Sequence, residues 1–107
     1  MEIKTIKFED KDVEILYDET KDAVIVKLEK PLTFGQEVYT ELEFLAPTWE
    51  VLDSIDLTKI GYQNIRKLAS KMCGLDSARL GRIKGQDIKK IISAVMYFLQ
   101  ESLGDKT

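Results

Sequence analysis

The spacing of the apolar residues changes at the middle of the chain, and this change constrains the fold more than any other feature. In the first half, apolar and polar residues alternate, as at Val13, Ile15 and Tyr17, and again over 24–28 and 38–44. Alternation with a period of two is typical of strands that have one face on a core and the other in water. Segments rich in turn-forming residues separate these runs. The first half therefore predicts an antiparallel meander of three or four strands.

The second half has the spacing of helices. Pro47 ends the last strand, and Thr48 is a good N-cap for a short helix over 49–55. Gly74 is placed to end the next helix, Asp76 to begin a short turn containing Leu80 and Ile83, and Asp87 to interact with the dipole of the last helix. The apolar stripes of the two longer helices are Ile65, Leu68, Ala69 and Met72, and then Ile88, Ile91, Ile92, Val95, Met96, Leu99 and Leu103. We expect an α+β fold in which the meander is followed by three or four helices.

Length and composition indicate one domain over 1–107. A chain of 107 residues can bury a core without disulfide or metal, and 44% of its residues are hydrophobic. No apolar run approaches the 18–20 residues or so that a membrane span needs, and the first residues do not form a signal peptide. With a single cysteine, the chain is expected in a reducing cytoplasm.

The residues that catalysis or metal binding would need are missing or poorly placed. The chain has no histidine, so the commonest general base and zinc ligand is absent. Its one cysteine, Cys73, has no histidine to activate it and is interpreted as a small apolar residue at a helix end. Glu41 and Glu43 lie on the solvent side of a predicted strand, and the glycines do not form a phosphate-binding loop. We expect no enzymatic activity, no cofactor and no metal.

Charge is divided unequally between the two halves. Residues 1–58 carry six Lys and fifteen Asp or Glu, a balance of −9, whereas residues 59–107 carry ten Lys or Arg and four acids, a balance of +6. This asymmetry is compatible with two differently charged solvated faces, with head-to-tail self-association into a homo-oligomer, or with contact to nucleic acid.

The basic stretch 59–90 contains a segment, 68–83, that resembles the helix-turn-helix of phage repressors. Such motifs have a small residue in the first helix and a glycine at the turn. Two features argue against DNA binding here. Ala69 precedes Gly74 by five residues rather than four, which rotates it by about 100°. Gly81 would lie in the recognition helix, at a cost of about 1 kcal/mol. A small nucleic-acid-binding regulator therefore stays an alternative only.

Residues 23 to about 101 resemble the tail assembly chaperones of contractile-tailed, Mu-like and P2-like phages. The family pattern has a strand with Leu-x-x-Pro, a glycine turn and a second strand closing on Pro-Thr. It continues with a helix ending in Gly-Leu, two apolar anchors, an Asp and a last helix with Val-x-x-Phe-Leu. The corresponding residues are Leu28 and Pro31, Gly35, Pro47-Thr48, Gly74-Leu75, Leu80 and Ile83, Asp87, and Val95 with Phe98-Leu99. Residues 1–22 lie outside this pattern and are expected to form an added hairpin.

The resemblance implies a non-enzymatic protein that binds the long helical tape measure protein and keeps it soluble until the tail tube polymerises. The partner would be met in the cytoplasm of a bacterial host. A structural tail or connector subunit is a second possibility within the same setting. From the residues alone, the candidate partner-binding side chains are Trp49, Tyr62, Met96, Tyr97 and Phe98. Tyr97 falls outside the apolar stripe and Phe98 lies near its edge, so both are expected to stay exposed. The alternative is that most of the five belong to the core, and Trp49 in particular can pack on it at its corner.

Overall fold

Four strands are followed by four helices in the computed structural model, which describes residues 2–8, 11–56, 58 and 61–103. The strands are β1 (Glu2–Phe8), β2 (Lys11–Asp18), β3 (Ala23–Phe34) and β4 (Glu37–Leu45). The helices are α1 (Trp49–Asp53), α2 (Tyr62–Cys73), α3 (Ser77–Leu80) and α4 (Gln86–Leu103). The predicted α+β class, with an antiparallel meander preceding the helices, is confirmed.

The sheet has the order β1-β2-β3-β4, and every neighbouring pair is antiparallel. Its register places apolar partners on one face, because Val24 lies opposite Phe44 and Val26 opposite Leu42, and all four are buried. Glu41 and Glu43 point to the other face and are exposed, as the alternation predicts. The sheet therefore has one face on the core and one in solvent.

The first two strands form a hairpin, so the segment before Ala23 is β structure paired to the rest of the sheet. Ile3 lies opposite Leu16, and Leu16 in turn lies opposite Ile25 of β3. Ile6 and Ile15 of this hairpin join the core, whereas Ile3 is 66% exposed on the outer face. The irregular apolar pattern near the start of the chain thus reflects a strand with apolar residues on both faces.

The helix ends agree with the capping residues in the sequence. The Thr48 hydroxyl accepts a hydrogen bond from the Val51 N–H at 3.3 Å, and the Asp76 carboxylate accepts one from the Arg79 N–H at 3.2 Å. Gly74 ends α2 with φ of 80°, a left-handed conformation that favours glycine. The third helix is only four residues long, so Ile83 lies after it and not within it.

Helices α2 and α4 cover the inner face of the sheet. Leu68, Ala69 and Met72 of α2 are buried, as are Ile91, Val95 and Leu99 of α4. This matches the predicted apolar stripes. Three residues of the stripes are not buried: Ile65 and Met96 are half-buried, and Ile88, which begins the stripe of α4, remains 38% exposed. The side chain of Leu103, the last residue of the predicted stripe, lies outside the described part of the chain.

An irregularity in β3 connects the sheet to α4. Between Lys27, which pairs with Glu41, and Leu32, which pairs with Tyr39, four residues of β3 lie opposite the single residue Thr40. Backbone N–H groups within such a bulge lose their partners in the neighbouring strand.

The carboxylate of Asp87 provides the missing acceptors. Its Oδ1 accepts a hydrogen bond from the Glu29 N–H at 2.9 Å, and its Oδ2 accepts one from the Lys30 N–H at 3.1 Å. Asp87 is only 2% exposed. In the same region Lys90 donates to the Lys27 carbonyl at 3.1 Å. The sequence predicted for Asp87 a role toward the helix dipole, and the structure adds a contact that fixes the first turn of α4 on β3.

Replacing Asp87 should therefore destabilise the whole domain. We expect Asp87→Ala to lower the free energy of unfolding by about 3 kcal/mol, because two hydrogen bonds to a charged acceptor are lost and two N–H groups lose their partner. Asp87→Asn keeps one acceptor oxygen, so it should lower the free energy of unfolding by a smaller amount. Urea denaturation measures both, and amide hydrogen exchange should accelerate at Glu29 and Lys30.

The matched control is Asp53→Ala, which removes an exposed carboxylate from the last turn of α1. It should change the free energy of unfolding by no more than about 0.5 kcal/mol. If Asp87→Ala has an equally small effect, the contact with β3 does not stabilise the fold.

Candidate functional site

Two of the five candidate partner-binding residues are strongly exposed. Trp49 is 81% exposed at the start of α1, and Tyr62 is 70% exposed at the start of α2. The alternative in which Trp49 packs on the core is therefore wrong. Large aromatic side chains left in water are candidates for contact with a partner, because burying them is strongly favourable.

The other three candidates lie on α4 and contact the rest of the domain. Met96 and Tyr97 are half-buried against the core, and the Tyr97 ring centre lies 5.4 Å from that of Tyr17. Phe98 is 3% exposed, so the expectation that it stays at the surface is wrong. It lies seven residues after the buried Ile91, on the same face of the helix, which places it toward the sheet.

An apolar groove of about 600 Å³ lies on the helical layer, and sequence reasoning did not predict it. It runs between the first two turns of α2 and the first two turns of α4, with α3 and the loop after it closing one side. The residues that line it are Tyr62, Gln63, Ile65, Arg66, Ala69, Leu80, Gly81, Ile83, Gly85, Ile88, Lys89, Ile91 and Ile92. Of the five candidates, this groove includes only Tyr62.

The floor and the edges of the groove differ in character. Ala69, Leu80 and Ile92 at the floor are buried, whereas Tyr62 and Ile88 at the edges are exposed. The one residue that could have indicated the groove in the sequence is Ile88, an apolar residue at the start of the stripe of α4. Its exposure could not be deduced from the stripe, because whether a neighbouring helix covers it depends on how α2 and α4 pack.

The charged residues lining the groove are both cationic. Arg66 belongs to α2 and Lys89 to α4. The Arg66 guanidinium reaches toward α3, since a Cβ built on Gly81 would lie 2.8 Å from Arg66 Nη1. Among the described residues, no ion pair includes Arg66 or Lys89.

Other basic residues of the stretch 59–90 interact with the sheet. Arg79 donates to Glu37 at 2.7 Å and lies with its guanidinium carbon 4.7 Å from the centre of the Phe34 ring. This hydrogen bond lowers the pKa of the Glu37 carboxyl from its ordinary value. Lys90 pairs with Glu29 at 3.5 Å. Lys59 lies outside the described residues.

The structure does not support the helix-turn-helix hypothesis, because the helix that follows Gly74 is too short to be a recognition helix. The segment after Gly74 forms only α3, with four residues, and Gly81 follows it as the C-cap. A recognition helix in the major groove presents several side chains along more than one turn. Arg79, which would belong to such a helix, is already paired with Glu37.

Cys73 is half-buried at the end of α2, and burial raises the pKa of its thiol. A raised thiol pKa lowers the fraction of thiolate, the nucleophilic form. In the part of the chain that the structure describes, no cluster of three or more Asp, Glu or Cys side chains is arranged to hold a metal ion. Among the described helices, none combines the length and the apolar character that a membrane span requires.

No protein-family model, no curated protein and no solved structure matches this chain.

The environment of Cys73 predicts low reactivity. At pH 8 the folded protein should react with iodoacetamide about tenfold more slowly than the same chain in urea, because burial both disfavours the thiolate and restricts access. The midpoint of the rate–pH profile should lie at higher pH for the folded protein than for the same chain in urea, because the thiol pKa is raised only in the fold. Equal rates for folded and unfolded chains would contradict this prediction.

Proposed function

We propose that this chain is a non-enzymatic phage tail assembly chaperone that binds the tape measure protein in the bacterial cytoplasm until the tail tube polymerises. The pattern of strands, turns and apolar positions over 23 to about 101 supports this proposal. The structural observation that carries it is the apolar groove on the helical layer, edged by exposed apolar side chains.

An apolar groove can cover the kind of surface that such a partner exposes. A long helical protein without its tube exposes an extended apolar surface, and surfaces of this kind aggregate. A concave apolar site of about 600 Å³ removes part of that surface from water. Exposed Tyr62 borders this site, and Trp49 supplies a second exposed aromatic side chain on the neighbouring helix α1.

Many copies along one partner would cover more of its length. The unequal charge of the two halves supports contact between copies, with the acidic first half of one copy facing basic residues of the next that lie outside the groove.

Co-expression tests the proposal directly. The tape measure protein of the same phage is produced in bacteria with and without this chain, and its soluble fraction is measured. We expect it to be soluble only in the presence of the chain, and the two to co-purify. A tape measure protein that stays insoluble, with no complex recovered, would contradict the proposal. Finding the chain in purified virions would instead favour a structural tail or connector subunit.

Exposed aromatic residues provide a sharper test within the complex. The double variant Trp49→Ala/Tyr62→Ala should bind the partner at least about 30-fold more weakly, since truncating one well-buried interface aromatic costs about 2 kcal/mol. Its own stability should change little, because both side chains are exposed. Binding is measured by titration and stability by urea denaturation.

The matched control truncates two exposed apolar residues of the sheet, Ile3→Ala/Val38→Ala, whose side chains are 66% and 58% exposed. This variant should bind the partner like the original protein. If the control loses as much affinity as Trp49→Ala/Tyr62→Ala, the partner contacts the sheet rather than the helical layer.

A further inference from the structure

We infer that the groove between α2 and α4 binds an amphipathic helix whose apolar stripe is flanked by Asp or Glu side chains. The identity of the protein that carries this helix rests on the proposed function. The apolar stripe and the acidic flanks of the bound helix are inferred from the groove itself. Three features of the groove support them: its charged side chains, the N-terminal ends of α2 and α4, and its shape.

The side chains of the groove favour a negative partner. Arg66 and Lys89 are its charged lining residues among those described, one on each of the two helices. Both are accessible to solvent, and no described ion pair includes either of them. A carboxylate arriving at the edge would therefore meet a cation without displacing an existing partner.

The backbone adds positive potential at the same place. The groove is lined by the first two turns of both α2 and α4, so the positive ends of two helix dipoles lie beside it. The first turn of α2 has no acidic residue, and Gly61 provides no side-chain cap. The first turn of α4 has Asp87, but that carboxylate is bound to the Glu29 and Lys30 N–H groups of β3.

The shape of the apolar surface favours a helix over a small molecule. A small apolar ligand would fill the buried floor formed by Ala69, Leu80 and Ile92 and would leave Tyr62 and Ile88 in water. A helix laid along the groove places the centre of its apolar stripe on the floor and the borders of that stripe against the exposed Tyr62 and Ile88. Its acidic flanks then lie beside Arg66 and Lys89. The acidic half of a second copy consists mainly of its sheet, and a sheet offers no separate helix to lie along a concave groove.

The first experiment uses two synthetic 18-residue probes and the intact protein. Both probes have Leu at helical spacing on one face; one has Glu on both flanks of that stripe, and the other has Lys at the same positions. Titration calorimetry in low salt measures the affinities. We expect the Glu probe to bind at least about tenfold more tightly than the Lys probe, with the preference decreasing as salt is added. Equal binding of both probes, or binding of neither, would overturn the inference.

Charge-reversal variants then locate the binding. Arg66→Glu/Lys89→Glu should weaken the Glu probe at least about tenfold and strengthen the Lys probe. The matched control, Lys67→Glu/Lys71→Glu, changes the net charge equally on exposed residues of α2 that do not line the groove. This control variant should still bind the Glu probe more tightly than the Lys probe, by nearly the same factor as the original protein. If both variants respond alike, only net charge matters and the groove is not the site.

Two further measurements separate the alternatives. Sedimentation equilibrium at increasing protein concentration should give the same mass for the original chain and for Arg66→Glu/Lys89→Glu. Self-association that only this variant abolishes would assign the groove to a second copy and overturn the inference. Calorimetry with dodecanoate tests the small-ligand alternative. If dodecanoate binds and the Glu probe then binds the dodecanoate-saturated protein as tightly as before, the probe lies outside the groove and the inference is overturned. Competition between the two supports the inference.

The outcome for the groove is distinguishable from the outcome for the proposed function. If the tape measure protein forms a complex that Arg66→Glu/Lys89→Glu leaves unchanged, the inference about the groove fails and the chaperone function stands. If the Glu probe binds in the groove but no complex with the tape measure protein forms, the function fails and the chemistry of the groove stands.

Discussion

The hydrogen bonds between Asp87 and the bulge of β3 determine how the two layers of this protein are joined. A bulge leaves backbone N–H groups without a partner, and leaving them unpaired in a buried place is costly. Both oxygens of the Asp87 carboxylate accept from those groups at 2.9 and 3.1 Å. Because Asp87 lies in the first turn of α4, the same contact fixes the start of that helix on the sheet. The groove depends on this placement, since one of its sides is the beginning of α4.

Segregation of charge gives the two layers different surfaces. Residues 1–58 carry fifteen of the nineteen acids, and Glu41 and Glu43 among them lie on the outer face of the sheet. Arg66 and Lys89 lie at the groove on the helical layer. Contacts such as the pair between Arg79 and Glu37 neutralise some of this charge where the layers meet. Arg66 and Lys89, which no described ion pair includes, lie beside the apolar residues of the groove. The groove thus combines an apolar floor with a basic edge.

Much of the fold could be predicted from local patterns, and the groove could not. Alternation over 24–28 and 38–44 is a property of neighbouring residues, so the strands and their inner faces were predictable. The same holds for the caps at Thr48, Gly74 and Asp76. Among the candidate partner-binding residues, Trp49 and Tyr62 are exposed, Met96 and Tyr97 are half-buried, and Phe98 is buried.

The sequence by itself determined the α+β class, the meander, the helix ends and the absence of histidine, because each is set by residue types and their spacing along the chain. Only the tertiary structure decided the partner of the Asp87 carboxylate and the exposure of Ile88. Both depend on residues distant in sequence: Asp87 meets Glu29 and Lys30 because of the register of β3, and Ile88 is exposed because α2 does not cover it. A spacing rule describes one element at a time, whereas a bulge contact or a groove exists only between elements.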